Sequence, residues 1–147
     1  MNENRLTTRL TEYWNDLKQD DVIPDFEQNN PALIGDLWDQ CFVLYIIPPN
    51  YSAYRYEYLG AQIKEMYGRD LTGTFVDLKN RQFLDAVIIP RLQVIRSVLN
   101  LKTPQEDSGQ LPTKNKKFIK YRIVLLPFGS ESAGTTHIVV GVSFREF

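Results

Sequence analysis

The sequence predicts an α+β domain whose helices cover a mainly antiparallel sheet. Three observations carry this expectation. Amphipathic stripes at helical spacing open the chain and fill its middle. Period-two alternation marks residues 54–59, 118–126 and 136–144 as half-buried strands. The short connection over residues 48–52, between two strand-like runs, favours a hairpin. A length of 147 residues suits one domain with a real core. The 43% hydrophobic and 24% charged fractions are those of a folded chain rather than a disordered one.

The first expected element is a helix over residues 6–19. Leu6, Leu10, Tyr13, Trp14 and Leu17 form one stripe, and Asn4 is placed to cap it. Residues 24–30 read as a connector. Asn30-Pro31 then opens a short helix to about residue 39, with Leu33, Ile34, Leu37 and Trp38 as its apolar side. Residues 41–47, CFVLYII, are an apolar strand stopped by Pro48-Pro49. In the next strand Tyr54, Tyr56 and Tyr58 share one face, opposite Arg55 and Glu57.

Gly60 breaks that pattern, and residues 61–67 form a short helix that Gly68 ends in a left-handed turn. A long helix is expected over residues 80–99, interrupted near Ile89 by Pro90. Residues 103–117 are polar and suit a short edge strand and loop. Residues 118–126 place Ile119, Tyr121, Ile123 and Leu125 on one face. Residues 127–135 read as a turn segment, and the last strand aligns Ile138, Val140, Val142 and Phe144.

Chemistry-bearing motifs are absent. There is no HExxH, no GxSxG and no glycine-rich phosphate loop ahead of a helix. The single histidine, His137, sits on a strand out of phase with the apolar set and is expected to be exposed. The single cysteine, Cys41, can form no internal disulfide and is expected to be a buried, inert thiol. The net charge of −1 argues against a nucleic-acid partner. The cluster Lys114, Lys116, Lys117, Lys120 and Arg122 reads as a solvated loop and strand face. No apolar run approaches a membrane span and no signal peptide opens the chain, so a cytoplasmic protein is expected. Binding rather than catalysis is the expected activity.

The stretch YRYEYLGAQIKEMYGRDLTGTFV, residues 54–76, resembles the PAS-domain superfamily, and more closely a bacterial family of stand-alone PAS-like proteins. The matching features are Leu59-Gly60, then Tyr67-Gly68 with Arg69-Asp70, then Leu71-Thr72-Gly73. Tyr13-Trp14 with Ile23-Pro24, and Leu125-Leu126-Pro127-Phe128-Gly129, extend the resemblance over nearly the whole chain. The connector at residues 24–30 lacks an expected basic residue, and the loop at 105–117 is long for the family.

The resemblance implies a five-stranded antiparallel sheet, covered on one face by short helices and one long helix. Residues 1–22 would be an N-terminal flanking helix and 23–147 the PAS-like domain. It implies a sensor that binds a small molecule or a protein partner, with a protein-binding adaptor of filled core as the alternative and a small cavity-type enzyme as the third reading. With no output domain following, the signal would pass by protein contact. Tyr54, Tyr56, Tyr58, Met66, Tyr67, Phe75, Tyr121 and Ile123 would line the cavity. Leu6, Leu10, Tyr13, Trp14 and Leu17 would form a homodimer or partner surface. Flavin–cysteine photochemistry is not expected, because no cysteine lies in the helical segment after the second strand. Haem is not expected, because no helix carries a histidine.

Overall fold

The computed structural model describes residues 2–48, 53–77, 88, 90–112, 118–130 and 132–146. Their elements run α1 (Asn2–Lys18), three 3-10 turns (Phe26–Gln28, Pro31–Leu33 and Gly35–Gln40), β1 (Cys41–Ile46), β2 (Ala53–Leu59), α2 (Ala61–Tyr67), β3 (Phe75–Asp77), α3 (Leu92–Leu101), β4 (Gln105–Pro112), β5 (Phe118–Ser130) and β6 (Gly134–Glu146). The strands form one antiparallel sheet in the order β3-β2-β1-β6-β5-β4.

The sheet has six strands rather than five. The addition is β3, three residues long, which pairs with the start of β2 through Tyr54↔Val76 and Arg55↔Phe75. Three residues are too few for a period to show in sequence. The last two strands are also longer than expected. Residues 127–130 and 134–135 continue the β5–β6 ladder, so the expected turn at 127–135 shrinks to its middle. Pro127 is tolerated because β4 pairs no further than Leu125. Its carbonyl accepts from Trp14 Nε1 at 2.6 Å, and the Gly129 N–H donates to Pro24 O at 2.9 Å on the same side. In a strand the N and C=O of one residue point the same way, so the missing proline N–H faces the unpaired edge.

Both faces of the sheet carry a core, which corrects the one-sided covering. One core joins Phe42, Leu44, Tyr54, Tyr56, Ile123, Leu125, Ile138 and Val140 to Ile63 of α2 and to Val94, Ile95 and Val98 of α3. The other joins Cys41, Val43, Val124, Leu126, Phe128 and Val139 to Leu6, Leu10, Tyr13 and Trp14 of α1. Helix α1 begins at Asn2, which places Asn4 inside it rather than at its cap. It lies close on β6 because residue 141 is glycine: a Cβ there would meet Leu10 Cδ1 at 2.1 Å.

Between α1 and β1 the expected helix is instead a chain of 3-10 turns. Ile34 takes its place in the second core, whereas Leu33 is exposed. Pro31 does open a helical turn. The Tyr13 hydroxyl ties this connector to α1, donating to Asn29 Oδ1 and accepting from the Asn30 N–H, both at 2.6 Å.

The 60–73 motif has a separate cause at each glycine. Gly60 has φ −66°, yet a Cβ on it would fall 2.4 Å from Asp39 O and 2.6 Å from Trp38 O, both backbone atoms. Gly68 ends α2 at φ 74°, where its N–H reaches the Lys64 and Glu65 carbonyls. That conformation costs a side-chain-bearing residue on the order of 1 kcal/mol. Asp70 accepts from the Thr72 N–H and hydroxyl, closing the turn that leads to β3.

Of the long middle helix, residues 78–87 and 89 lie outside the described residues. Past Pro90, Arg91 is still extended and α3 starts at Leu92. Arg91 pins that helix to the edge strand. Its guanidinium donates to both Asp107 carboxylate oxygens, at 2.7 and 3.1 Å.

Candidate functional site

The tyrosines of β2 do not share one face. Leu44 pairs with Tyr56 but Val43 pairs with Tyr58, so Glu57 is an extra residue in β2, a β-bulge. The bulge turns Tyr58 to the α1 side, where its ring stacks on Trp38 with centroids 4.8 Å apart. Leu59 then returns to the α2–α3 side. Tyr58 therefore leaves the candidate cavity. Phe75 leaves it too: it is 61% exposed and lies on the edge strand beside Arg55.

Six of the eight expected residues do gather on the α2–α3 side. Tyr54, Tyr56, Tyr67 and Ile123 are buried there, with Met66 and Tyr121 partly buried against them. Tyr54 and Tyr56 meet edge to face at 5.7 Å. The Tyr67 hydroxyl accepts from the Ile88 N–H at 3.1 Å. The Tyr121 ring lies over Gly109 of β4, where a Cβ would meet its hydroxyl at 2.4 Å.

The electrostatics of this cluster are those of neutral phenols. Burial, followed by the nearness of the neighbouring phenols, pushes Tyr56 and Tyr67 well above the ordinary tyrosine range, and burial also raises Tyr54. All three hold their protons at neutral pH. The hydroxyls of Tyr54 and Tyr56 are fully buried and lack a hydrogen-bond partner. They lie close enough to influence one another, without hydrogen-bond geometry between them. An unpaired buried hydroxyl costs about 1–3 kcal/mol, so two on one face mark a place where an acceptor is wanted.

The α1 stripe is not free for a partner, which corrects its expected role. Leu6, Leu10, Tyr13 and Trp14 are 0–7% exposed against the chain's own sheet, and Leu17 packs beside them. The stripe faces inward because the outer sheet face is itself apolar and needs cover. Two open clefts flank α1. One, of about 400 Å³, lies beside Tyr13, Leu17 and Leu33; the other, of about 220 Å³, lies beside Leu6, Gln40 and Phe144. Charged Arg9 lines both, and neither reaches the tyrosine cluster.

His137 is not exposed as expected. It stacks on Phe26 at 4.1 Å with rings 6° from parallel, meets Tyr45 edge-on at 5.4 Å, and its Nδ1 lies 2.9 Å from Thr136 Oγ1. Burial lowers its pKa below the usual 6.5. Arg55 lies over the Tyr45 ring at 5.0 Å and pairs with Glu57. The row Phe75–Arg55–Tyr45–His137–Phe128 thus crosses five strands by direct register. Cys41 is buried, its thiol lies 3.3 Å from Leu37 O, and burial pushes its pKa up to about 12. Among the described residues no group of three or more His, Cys, Asp or Glu is gathered to hold a metal. No helix among them is long and apolar enough to cross a membrane.

A PAS-like α+β architecture, with a tyrosine cluster under its helices, is the class this geometry defines. The family model for the PAS domain matches residues 2–143, and the chain belongs to that family. A search of curated proteins returned no match. Among solved structures, a fungal LOV domain photoreceptor is similar at a TM-score of 0.49 and 14% identity, over 80% of this chain and 83% of that one.

Proposed function

We propose that this PAS domain is a sensory or regulatory module that binds a small molecule on the tyrosine-bearing face of its sheet and signals by protein contact. The observation that supports this reading is the pair of buried, unpartnered hydroxyls on Tyr54 and Tyr56. Evolved interiors pair their buried polar groups, and a recurrent reason for an exception is a molecule that binds there. Tyr67, Met66 and Ile123 supply the apolar wall and a further hydroxyl. The likeness to bacterial stand-alone PAS proteins, and a cytoplasmic location, belong to the same proposal. So does a homodimer or partner contact, which would use a surface other than the α1 stripe. The reading assigns no catalytic step.

The competing reading is an adaptor whose interior is simply filled. The near-zero exposure of Phe42, Leu44, Tyr54 and Tyr56 favours it. Native mass spectrometry of protein purified from its own host separates the two. A mass adduct that denaturation releases is expected for the sensor. A bare polypeptide mass in every preparation would count for the adaptor.

A further inference from the structure

The tyrosine cluster has a chemical bias that narrows what it would take. A phenol hydroxyl is a strong donor and a weak acceptor, because its ring withdraws lone-pair density from the oxygen. Each has one proton to give. Tyr54 and Tyr56 give theirs to no protein group. Tyr67 accepts from the Ile88 N–H, and its hydroxyl lies beside that of Tyr56. Two unpaired donors, with the Tyr67 hydroxyl beside them, therefore face a region whose walls are apolar.

Among the described residues, buried charge is limited to Asp107. The described residues of this core are aliphatic, aromatic or phenolic. The buried carboxylate nearby, Asp107, is engaged by Arg91. The positive charge that acts on Tyr56 is Arg69, which is exposed past the end of α2. Among the described residues a cationic ligand would meet donors and no free buried counter-charge, and would lose its hydration without replacement. An anion would find donors but, among the described residues, no buried cation. A ligand whose only polar groups are donors would leave the phenol protons unpaired.

We infer that the Tyr54–Tyr56–Tyr67 cluster takes a small neutral molecule with an apolar body and a carbonyl-type oxygen acceptor, received by the phenol O–H groups. This deepens the ligand-binding reading above and rests on it.

Three monosubstituted benzenes of similar size test the class: acetophenone, an acceptor; toluene, with neither donor nor acceptor; and benzylamine, a cation. Each is titrated into the full chain labelled with 13C in its tyrosine rings, and the shifts of the Tyr54, Tyr56 and Tyr67 signals are followed by NMR. Acetophenone is expected to bind about tenfold more tightly than toluene, the worth of one or two net hydrogen bonds. Benzylamine is expected to bind more weakly than either. Tyr54→Phe with Tyr56→Phe should bring acceptor affinity down to the toluene level and leave toluene unchanged. Each single variant should remove part of the preference. Because each substitution deletes an unpaired hydroxyl, the variants are expected to fold with unreduced melting temperature.

Equal affinity for toluene and acetophenone, or tightest binding of benzylamine, would overturn the acceptor class and leave the ligand-binding reading in place. If no probe shifts any of these tyrosine signals, the ligand-binding reading fails and the inference with it.

Discussion

Trp14 decides whether α1 is part of the fold or a handle for a partner. Its side chain is 2% exposed between α1 and the sheet, and its indole N–H is bonded to the Pro127 carbonyl. Truncation by Trp14→Ala removes the largest fully buried side chain of the second core, a change that costs about 3–5 kcal/mol where the site cannot collapse. The strands beneath it are paired on both sides over most of their length, so collapse is restricted. Pro127 is itself buried, so its orphaned carbonyl keeps the loss toward the upper end of that range. For a chain of this size about 3 °C of melting temperature is lost per kcal/mol, so a fall of roughly 10–15 °C is expected. Trp14→Phe keeps most of the volume and should lose roughly a third of that. Thermal unfolding by circular dichroism at several protein concentrations is the assay. The fall should be the same at all concentrations. A variant with an unchanged monomer melting temperature and a weakened dimer would refute the argument, because it would place Trp14 between chains.

Three further outcomes follow from the same geometry. Gly60→Ala drives a Cβ into the backbone at Asp39 and Trp38, and is expected to destabilise by about 1–3 kcal/mol; Gly68→Ala has open space but a left-handed φ, and should cost about 1 kcal/mol in denaturant titration. His137 has a folded pKa below 6.5, so protonation favours the unfolded chain. Stability should therefore be level above pH 6.5 and fall as pH drops through the folded value, as read by urea unfolding; His137→Gln should remove that part of the slope, and unchanged pH dependence in the variant would refute the assignment. Cys41 should resist a thiol reagent such as DTNB in the native chain and react on denaturation, since burial keeps its pKa near 12; rapid native labelling would show that the β1 end opens.

Local chemistry was legible where one or two residues dictate the backbone. The helix over residues 61–67, with Gly68 in a left-handed turn, is as expected because a glycine stop and a broken alternation act locally. The first strand and its hairpin partner also match, and so does the Phe118 strand with its inward Ile123 and Leu125. The second core has a signal in the sequence. CFVLYI and IVLLPF are nearly continuous apolar runs, which mark strands covered on both faces. An α1 stripe read beside such runs belongs against them rather than against another chain.

Other features left no local trace. The Glu57 bulge reverses Tyr58 although the alternation from Tyr54 onward is unbroken in sequence, since a bulge is a property of the pairing with β1. Phe75 looks like core by composition, yet it lies on an edge strand on the outer side of the sheet.

By itself the sequence determined an α+β domain, the resemblance to PAS proteins and the order of the elements around Gly60 and Gly68. These depend on periodicity and backbone preference, which neighbouring residues carry. Only the tertiary structure decided which phenols meet, that Tyr54 and Tyr56 keep unpaired hydroxyls under the helices, and that α1 is spent on its own sheet. Those depend on strand register and on which face lacks cover, and both arise between residues far apart in the chain.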